Sequence, residues 1–544
     1  MRLCFEPMPN WPFLVWLAKC QPQSREVVVY SGPWIEKREA WFCEAVWAGD
    51  FDQGGFDQTD VVAGTGARVR EDRLFFVTSG STVDRLQWLR TNDGTFWVSN
   101  ALSCLLSSAG ATVDPTAEDY NRTLGAIVAG LGKGRTSSVT CSTGAVRLVH
   151  FDNLVWDGTN LTQVPKPTES ERFDSFATYK RYLDTKLRML ARNASDSSRA
   201  RALEFLGTAS SGYDSATCAA LAAQHGLKQV ITFTMAKRNL DDSGEHIASH
   251  LGLQCTRINR DAWRGVPRAE SLFVSGHGGA MDMLFAGAAP HLSGRVLLTG
   301  YHGDKMWSKE PPPGTDIVRG DNSGLSLTEF RLRAGFINCA MPFWGARQIH
   351  EVHQISVSDE MRAWDIPGAY SRPICRRILE EAGVPRELFG MRKKAAAQGI
   401  AKHKIFLSPS ARADYAAWLK AHRSDFVLAG RELPIVSPRL DRMYMELRYF
   451  VEQMSTKLLE VVEGRRFVWR LARLPFLKRM THLTADRPAN GVGKSILRWR
   501  GYLFPWALER TKADVPSPGL AFRIGRTQSD RSDPVRIGAP ASHQ

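Results

Sequence analysis

Residues 173–400 alternate short apolar runs with amphipathic runs, and this alternation restricts the possible folds more than any other feature of the sequence. Such alternation is typical of βαβ units and predicts an α/β fold with a parallel sheet. Ligands of such sheets bind at the carboxyl ends of the strands. Residues 210–215 and 300–304 directly follow predicted strands, so we expect them to share one site. The predicted elements are the strands RALEFLGT, QVITFTM, CTRIN and GRVLLTG and the helices DSATCAALAAQHG and DDSGEHIASHLG.

The regions on either side of residues 173–400 have a different character. Residues 1–165 contain short alternating runs such as RLFFVTSG, TFWVSN and AVRLVHFDNLVW, which predict a β-rich domain. The stretch VPKPTESER at 164–172 has the prolines and charges of a linker. Residues 401–510 predict a basic, helical extension, and the polar residues 511–544 predict a disordered tail.

Charge and cysteine content narrow the possible partners and compartments. A formal net charge of +15 favours acidic partners such as ATP, a nucleic acid or an anionic membrane. The basic apolar stretch RRFVWRLARLPFLKRM is suited to transient contact with a membrane surface. Nine scattered cysteines without a CxxC pair argue against a disulfide framework or a zinc ribbon. No apolar run reaches the roughly 18–20 residues that span a bilayer, and a signal-peptide cleavage site is not evident, so we expect a cytoplasmic protein.

The stretch SSGYDS at 210–215 places small residues and hydroxyls at a strand-to-helix corner. Ser210, Ser211 and Gly212 allow a tight turn that presents backbone N–H groups to an anion, and the following helix adds its positive N-terminal dipole. Asp214 is unfavourable beside a phosphate unless a cation intervenes, which suggests Mg²⁺. The alternative is an ordinary helix start, in which Asp214 or Ser215 only caps free N–H groups.

Three ordered stretches resemble the asparagine synthetase family of the PP-loop ATP pyrophosphatases. SSGYDS resembles the signature SGGxDS, with Ser211 in place of a glycine, and VLLTGYHGDKMW at 296–307 resembles LTGxGxDE. RRILEEAGVPRELFGMRKKA at 376–395 resembles the helix, Pro and Arg-x-Lys segment of the family. The resemblance covers about residues 175–400. It implies a PP-loop synthetase domain that adenylates a carboxylate with ATP and releases pyrophosphate before an amine attacks.

The resemblance also implies roles for individual residues. Asp214 and Asp304 match the Mg²⁺-binding acids of the family, and Lys394 matches the lysine that steadies the adenylate and pyrophosphate; Lys393 is one register away. Asp304 is also explained as a turn residue, and the two lysines as a solvated basic pair. ATP contacts are implied for Ser210, Ser211, Gly212, Asp214, Ser215, Thr234 and Gly300.

Tyr301 departs from the asparagine synthetases, in which this position is usually Glu, and is similar to the β-lactam synthetase branch. In that branch the tyrosine and a glutamate deprotonate an amine, and Glu329 is the candidate partner here. The alternative is that Tyr301 is only a wall of the pocket. Lys305 and His302 also depart from the family pattern and could disturb the metal site. The acyl pocket is expected to include VSGHGGAMDMLF at 274–285, for which the sequence suggests no ligand.

The family's glutaminase uses an N-terminal cysteine, whereas residue 2 here is Arg and the first cysteine is Cys4. Residues 75–107 nevertheless resemble later strands of that domain, so residues 1–165 are interpreted as a degenerate N-terminal-nucleophile (Ntn) glutaminase-like domain. Glutamine use is therefore not expected, and the amine comes from free ammonia or from the substrate itself.

The sequence thus predicts an AMP-forming, ATP- and Mg²⁺-dependent amide ligase that joins a small-molecule or peptide carboxylate to an amine. Its product would be a specialised metabolite, a peptide or an envelope component. One alternative is an ammonia-dependent asparagine synthetase, and another is a non-catalytic scaffold or regulator that kept the fold. PP-loop enzymes that thiolate RNA usually need paired cysteines, so a nucleic-acid partner is not expected. The sequence leaves the carboxylate, the amine and the oligomeric state open.

Overall fold

The computed structural model describes residues 1–134, 137–167, 171–234, 241–312, 314, 316–367, 370–391, 397, 399–400, 406–447, 450 and 496–518. All nine cysteines lie in these ranges as free thiols. Within the same ranges, no helix combines the length and the apolar character that crossing a bilayer would need.

Two sheets make up the N-terminal region, which is β-rich as predicted. The first has seven strands in the order β1-β3-β2-β9-β8-β11-β10, and the second has six in the order β13-β12-β7-β6-β5-β4. Only the β1–β3 pair is parallel; the other ladders of these two sheets are antiparallel. The strands are β1 (Arg2–Pro7), β2 (Trp16–Cys20), β3 (Glu26–Ser31), β4 (Glu36–Arg38), β5 (Trp41–Trp47), β6 (Val62–Arg70), β7 (Arg73–Val77), β8 (Leu86–Arg90), β9 (Phe96–Ser99), β10 (Ser138–Cys141), β11 (Gly144–Val149), β12 (Asn153–Trp156) and β13 (Leu161–Val164).

An aromatic core holds these two sheets face to face. Trp16 of the first sheet is fully buried, and its ring centroid lies 5.1 Å from that of Phe42 and 6.1 Å from that of Phe76, both of the second sheet. In β2 the alternate residues Trp16, Ala18 and Cys20 point into this layer, as the period of two in a strand predicts.

The third sheet is fully parallel, in agreement with the prediction. Its strands are β14 (Glu204–Thr208), β15 (Gln229–Phe233), β16 (Gln254–Ile258), β17 (Arg295–Thr299) and β18 (Ile337–Ala340). Their order is β16-β15-β14-β17-β18. The chain therefore builds outward from β14 on one side and then crosses to build β17 and β18 on the other.

Helices are distributed over all parts of the structure. The longest, Phe176–Ala194, begins at a capping box in which the Ser175 hydroxyl accepts from the Thr178 N–H, and it buries an apolar face. The helices are α1 (Leu102–Ser108), α2 (Tyr120–Leu124), α3 (Leu131–Gly134), α4 (Phe176–Ala194), α5 (Tyr213–Ala223), α6 (Glu245–His250), α7 (Ala269–Gly276), α8 (Ala289–Leu292), α9 (Gly303–Met306), α10 (Thr328–Ala334), α11 (Ile349–Val357), α12 (Pro373–Glu381), α13 (Pro409–Ala421), α14 (Arg423–Leu428) and α15 (Leu503–Lys512).

Helix α10 joins the region of the parallel sheet to the N-terminal sheets through buried charges. The Arg331 guanidinium donates to both carboxylate oxygens of Glu44, at 2.7 and 3.0 Å, and to Asp84 at 2.6 Å. All three side chains are at most 1% exposed. Because an unpaired buried charge is strongly unfavourable, this triad holds α10 against the N-terminal region.

Two predictions at region boundaries need correction. Lys166, inside the predicted linker 164–172, is buried and donates to the Thr78 carbonyl and the Asn153 Oδ1 at 2.7 Å each, so this part of the segment belongs to the N-terminal region. At the other end, the predicted disordered tail 511–544 begins too early. Val515 is buried, and the Pro516 carbonyl accepts from the Trp11 indole at 3.1 Å. Residues 519–544 lie outside the described residues.

Candidate functional site

The candidate site lies where the strand order of the parallel sheet reverses. From the carboxyl end of β14 the chain leads towards β15, whereas from the carboxyl end of the adjacent β17 it leads towards β18. Loops that diverge in this way leave a crevice, which is the usual ligand site of open α/β sheets. Residues 209–212 line one side of this crevice and residues 300–302 line the other. The two segments that the sequence singled out are thus brought together.

The first loop leads directly into helix α5. The N-cap residue is Gly212, which has no side chain to occupy the first N–H groups of the helix. The hydroxyls of Ser210 and Ser215 lie 2.7 Å apart, and the Ser210 hydroxyl accepts from the Gly212 N–H at 3.2 Å. All three residues are half-buried. Hydroxyls and N–H groups therefore converge at the positive end of a helix dipole, which is suitable for an anion.

Ser211, which replaces a glycine of the family signature, is held by the segment before α6. Its hydroxyl donates to the Asp242 Oδ1 at 2.7 Å, and its N–H donates to the Asp242 carbonyl at 3.2 Å. Gly244 lies so close that a Cβ there would come within 2.7 Å of the Ser210 nitrogen. These contacts hold the first loop against the segment before α6.

Glycines at the end of β17 allow the second loop to pack directly on Asp214. A Cβ at Gly300 would lie 2.6 Å from the Asp214 carbonyl carbon, and one at Gly303 would lie 2.8 Å from the Asp214 Oδ1. Asp304 follows in the first turn of α9, so the two predicted metal ligands lie on facing segments. The glycines are the feature that permits this approach.

The Asp214 carboxylate has a basic partner that the sequence analysis missed. Arg372, the residue before α12, donates through Nη1 to the Asp214 Oδ1, and the guanidinium side chain is 8% exposed. Burial lowers the pKa of Arg372, but the charges of Asp214 and Asp304 outweigh this effect and raise its pKa above the ordinary value. The only signal in the sequence was the position of Arg372, four residues before the third motif.

Two carboxylates on facing segments fit one Mg²⁺ ion, which usually takes one or two protein carboxylates and completes its shell with phosphate and water. Gly303 allows the start of α9, which carries Asp304, to pack directly on the Asp214 side chain. Among the described residues there is no group of three or more His, Cys, Asp or Glu side chains that could hold a metal by itself. A metal at this site would therefore need ligands from a bound substrate.

Tyr301 is bonded to Asp282, not to the predicted Glu329. Its hydroxyl donates to the Asp282 Oδ1 at 3.0 Å. The Asp282 carboxylate also accepts from the Gly324 N–H at 2.8 Å and from the Ser326 hydroxyl at 2.6 Å. Burial, followed by the Asp282 charge, raises the pKa of Tyr301 well above its ordinary value, and burial raises the pKa of Asp282. The tyrosine is thus a neutral donor that points to a buried carboxylate.

Glu329 faces the N-terminal region instead. Its carboxylate accepts from the N–H groups of Leu102 and Ser103, at 2.8 and 3.4 Å, and from the Ser103 hydroxyl at 2.9 Å. Leu102 and Ser103 are the first residues of α1, whose N–H groups have no partner within the helix. The structure therefore gives Glu329 the role of a helix cap across the two regions, and the predicted dyad of Tyr301 and Glu329 is not formed.

His302 stands where the family signature has a glycine or another small residue, although its backbone conformation is one that favours glycine. It adopts a left-handed conformation with φ 77° at the start of α9, and its ring stacks on Phe343 with centroids 4.4 Å apart. Burial lowers the pKa of His302 to about 3, so the ring is neutral. Lys305 lies against Gly320, where a Cβ would come within 2.8 Å of the lysine Cε.

The remaining predicted site residues are Thr234, Lys393 and Lys394. Thr234 lies at the carboxyl end of β15, but its N–H already donates to the Ile258 carbonyl at 3.1 Å. Lys393 and Lys394 lie outside the described residues. Gly390, four residues before Lys394, donates its N–H to the Ser211 carbonyl at 2.9 Å. That hydrogen bond joins Gly390 to the first loop.

No protein-family model and no curated protein matches this chain. The likeness to the asparagine synthetases thus depends on the three sequence motifs alone.

Proposed function

We propose that this protein is an AMP-forming, ATP-dependent amide ligase that adenylates a carboxylate and joins it to an amine. The observation that carries the proposal is the crevice between β14 and β17. There the N-terminus of α5, which has no side-chain cap, lies beside the Ser210 and Ser215 hydroxyls, and the start of α9, which carries Asp304, packs on Asp214. N–H groups and hydroxyls suit phosphate oxygens, and the carboxylates suit a cation that accompanies them.

In the proposed reaction a substrate carboxylate oxygen attacks the α-phosphorus of ATP, the α–β bond breaks and pyrophosphate leaves. An amine then attacks the acyl carbon, and AMP leaves. The first loop holds the phosphates in line, which is the main contribution of positioning. Asp214 and Asp304 would hold Mg²⁺, which supplies positive charge beside the phosphates when bound. Lys394, which lies outside the described residues, is proposed to steady the adenylate and pyrophosphate, as the resemblance implies.

Tyr301 and Asp282 are proposed to accept the proton of the attacking amine. The amine proton passes to the Tyr301 oxygen while the hydroxyl proton passes to the Asp282 Oδ1, 3.0 Å away. A neutral tyrosine is a weak base alone at neutral pH, so the carboxylate behind it is necessary. Asp282 takes the place that the sequence analysis gave to Glu329.

Glutamine is not a proposed substrate. Cys4, the first cysteine in the sequence, lies inside β1, where it pairs with Val28 of β3. The amine is therefore proposed to be free ammonia or part of the second substrate.

The decisive experiment measures Mg²⁺-dependent pyrophosphate release from ATP with a panel of carboxylates, including aspartate with ammonia. We expect release with one acid, and loss of that release in Asp214→Ala. Asp359→Ala is the matched control, because Asp359 is exposed and pairs only with a surface arginine at the end of the same region. If aspartate is the only acid that supports release, and asparagine forms when ammonia is present, the protein is an ammonia-dependent asparagine synthetase.

A non-catalytic scaffold is the second candidate function. The ion pair between Arg372 and Asp214 favours it, because a carboxylate already neutralised by a guanidinium does not need a metal. Failure of the wild-type protein to bind ATP at millimolar concentration would support the scaffold and contradict the ligase.

A further inference from the structure

Arg372 occupies the oxygen of Asp214 that a bridging metal would need. Its Nη1 contacts the Asp214 Oδ1, and the same oxygen lies 2.8 Å from the Cβ position of Gly303, at the start of the helix that carries Asp304. A cation shared by Asp214 and Asp304 is expected on this side, because Gly303 precedes Asp304 in α9 and packs on Asp214. The guanidinium and the metal therefore compete for one position.

We infer that Arg372 is a positioning residue that neutralises Asp214 in the free protein and moves to the phosphates when metal and nucleotide bind together. This inference depends on the proposed function. It adds a regulatory property to the site, namely that the metal alone binds weakly and the nucleotide is required to remove the guanidinium.

The surroundings of Arg372 give it a short path to the phosphate loop. The Arg372 Cζ lies 5.7 Å from the centroid of the Tyr370 ring. Tyr370 packs on Tyr213 with ring centroids 5.2 Å apart, and its hydroxyl lies 4.0 Å from the Cβ position of Gly212. Arg372 therefore stands at the rim of the loop that presents N–H groups to an anion. A planar guanidinium binds phosphate oxygens as well as carboxylates.

Charge favours the exchange in one direction. Asp214, Asp304 and Arg372 carry a formal net charge of −1 together, so a divalent cation that displaced Arg372 without other changes would leave a cation and a guanidinium side by side. A nucleotide triphosphate supplies the negative charge that accepts the guanidinium. Metal and nucleotide should consequently strengthen the binding of each other, which is a reciprocal coupling.

The test is Mn²⁺ binding, measured by electron paramagnetic resonance on the full chain without nucleotide. We expect Arg372→Gln to bind Mn²⁺ at least tenfold more tightly than the wild type. Adding Asp214→Asn to that variant should remove the gain. Arg377→Gln is the matched control, because Arg377 lies on α12, which begins directly after Arg372 in the chain, but pairs with Glu381 and Glu360 and not with Asp214. It should bind Mn²⁺ as the wild type does.

A second measurement uses ATP in the presence of EDTA, where Arg372→Gln should bind at least fivefold more weakly because the phosphates lose the guanidinium. If the glutamine variant does not fold, Arg372→Met removes the same charge and has the same expected results. Unchanged or weaker Mn²⁺ binding in both variants would overturn the inference. Absence of pyrophosphate release from the wild type would instead contradict the ligase proposal. The comparison of Mn²⁺ binding would still test the competition between Arg372 and the metal.

Discussion

Replacing Glu329 with alanine would remove the group that caps α1 from the other side of the region boundary. Two buried N–H groups would lose their acceptor, those of Leu102 at 2.8 Å and Ser103 at 3.4 Å, while the Ser103 hydroxyl can rotate to a new partner. Each unsatisfied buried donor costs about 1–3 kcal/mol. The second bond is long and contributes little, so we expect a loss of about 1–3 kcal/mol in the free energy of unfolding.

Hydrogen exchange measures this loss where it occurs. A local loss of about 1.4–2.8 kcal/mol corresponds to a 10- to 100-fold increase in the exchange rate of the Leu102 and Ser103 amides. Urea unfolding gives the global value. Glu329→Gln retains one acceptor oxygen and should show the smaller effect in both measurements.

The same variants decide between the structural role and the catalytic role that the sequence suggested. If Glu329 were the partner of Tyr301, Glu329→Gln would abolish turnover and leave the exchange of the α1 amides unchanged. That result would refute the cap. We instead expect pyrophosphate release to persist in Glu329→Gln at temperatures where the variant stays folded.

Three further substitutions test other parts of the structure. Asp282→Asn should reduce amide formation about 10²- to 10⁴-fold, as should Tyr301→Phe, and an unaffected rate would exclude the relay. Because burial raises the pKa of Asp282, the activity of the wild type should be lost on acidification at a higher pH than an ordinary aspartate would give. Gly300→Ala places a Cβ 2.6 Å from the Asp214 carbonyl carbon, so it should weaken ATP binding in calorimetry and cost about 1–3 kcal/mol of stability, whereas Gly294→Ala on the far end of the same strand should spare binding. Arg331→Met leaves two buried carboxylates unpaired and should lower the free energy of unfolding in urea by about 3–5 kcal/mol; a change below 1 kcal/mol would show that the triad is dispensable.

The sequence predicted the parallel sheet because its signals are local. Each strand from β14 to β17 is a short apolar run bounded by turn residues, and the glycines and serines after β14 and β17 mark the corners. A parallel sheet then requires the ends of neighbouring strands to meet at one edge. The convergence of the two loops followed from that geometry without any knowledge of packing.

The partners of the charged site residues could not be predicted in this way. Glu329 has suitable chemistry for Tyr301, but its position on α10 directs it to α1, 226 residues earlier in the chain. Asp282 reaches Tyr301 only because the segment around it packs against residues 324–326. Similarly, the residues after 511 suggested disorder because they are polar. The contact of Pro516 with Trp11 was not predictable, because it joins positions 505 residues apart. Such pairings are set by tertiary packing, which leaves no periodic trace.

The triad of Arg331, Glu44 and Asp84 also has a consequence for synthesis on the ribosome. The arginine is made 287 residues after Glu44 and 247 residues after Asp84. At about 5–20 residues per second, roughly 10–60 s pass during which a nascent N-terminal half holds two acids without their counter-charge. Because a buried carboxylate without a partner is strongly unfavourable, that half should stay locally open or exposed to chaperones until α10 leaves the exit tunnel.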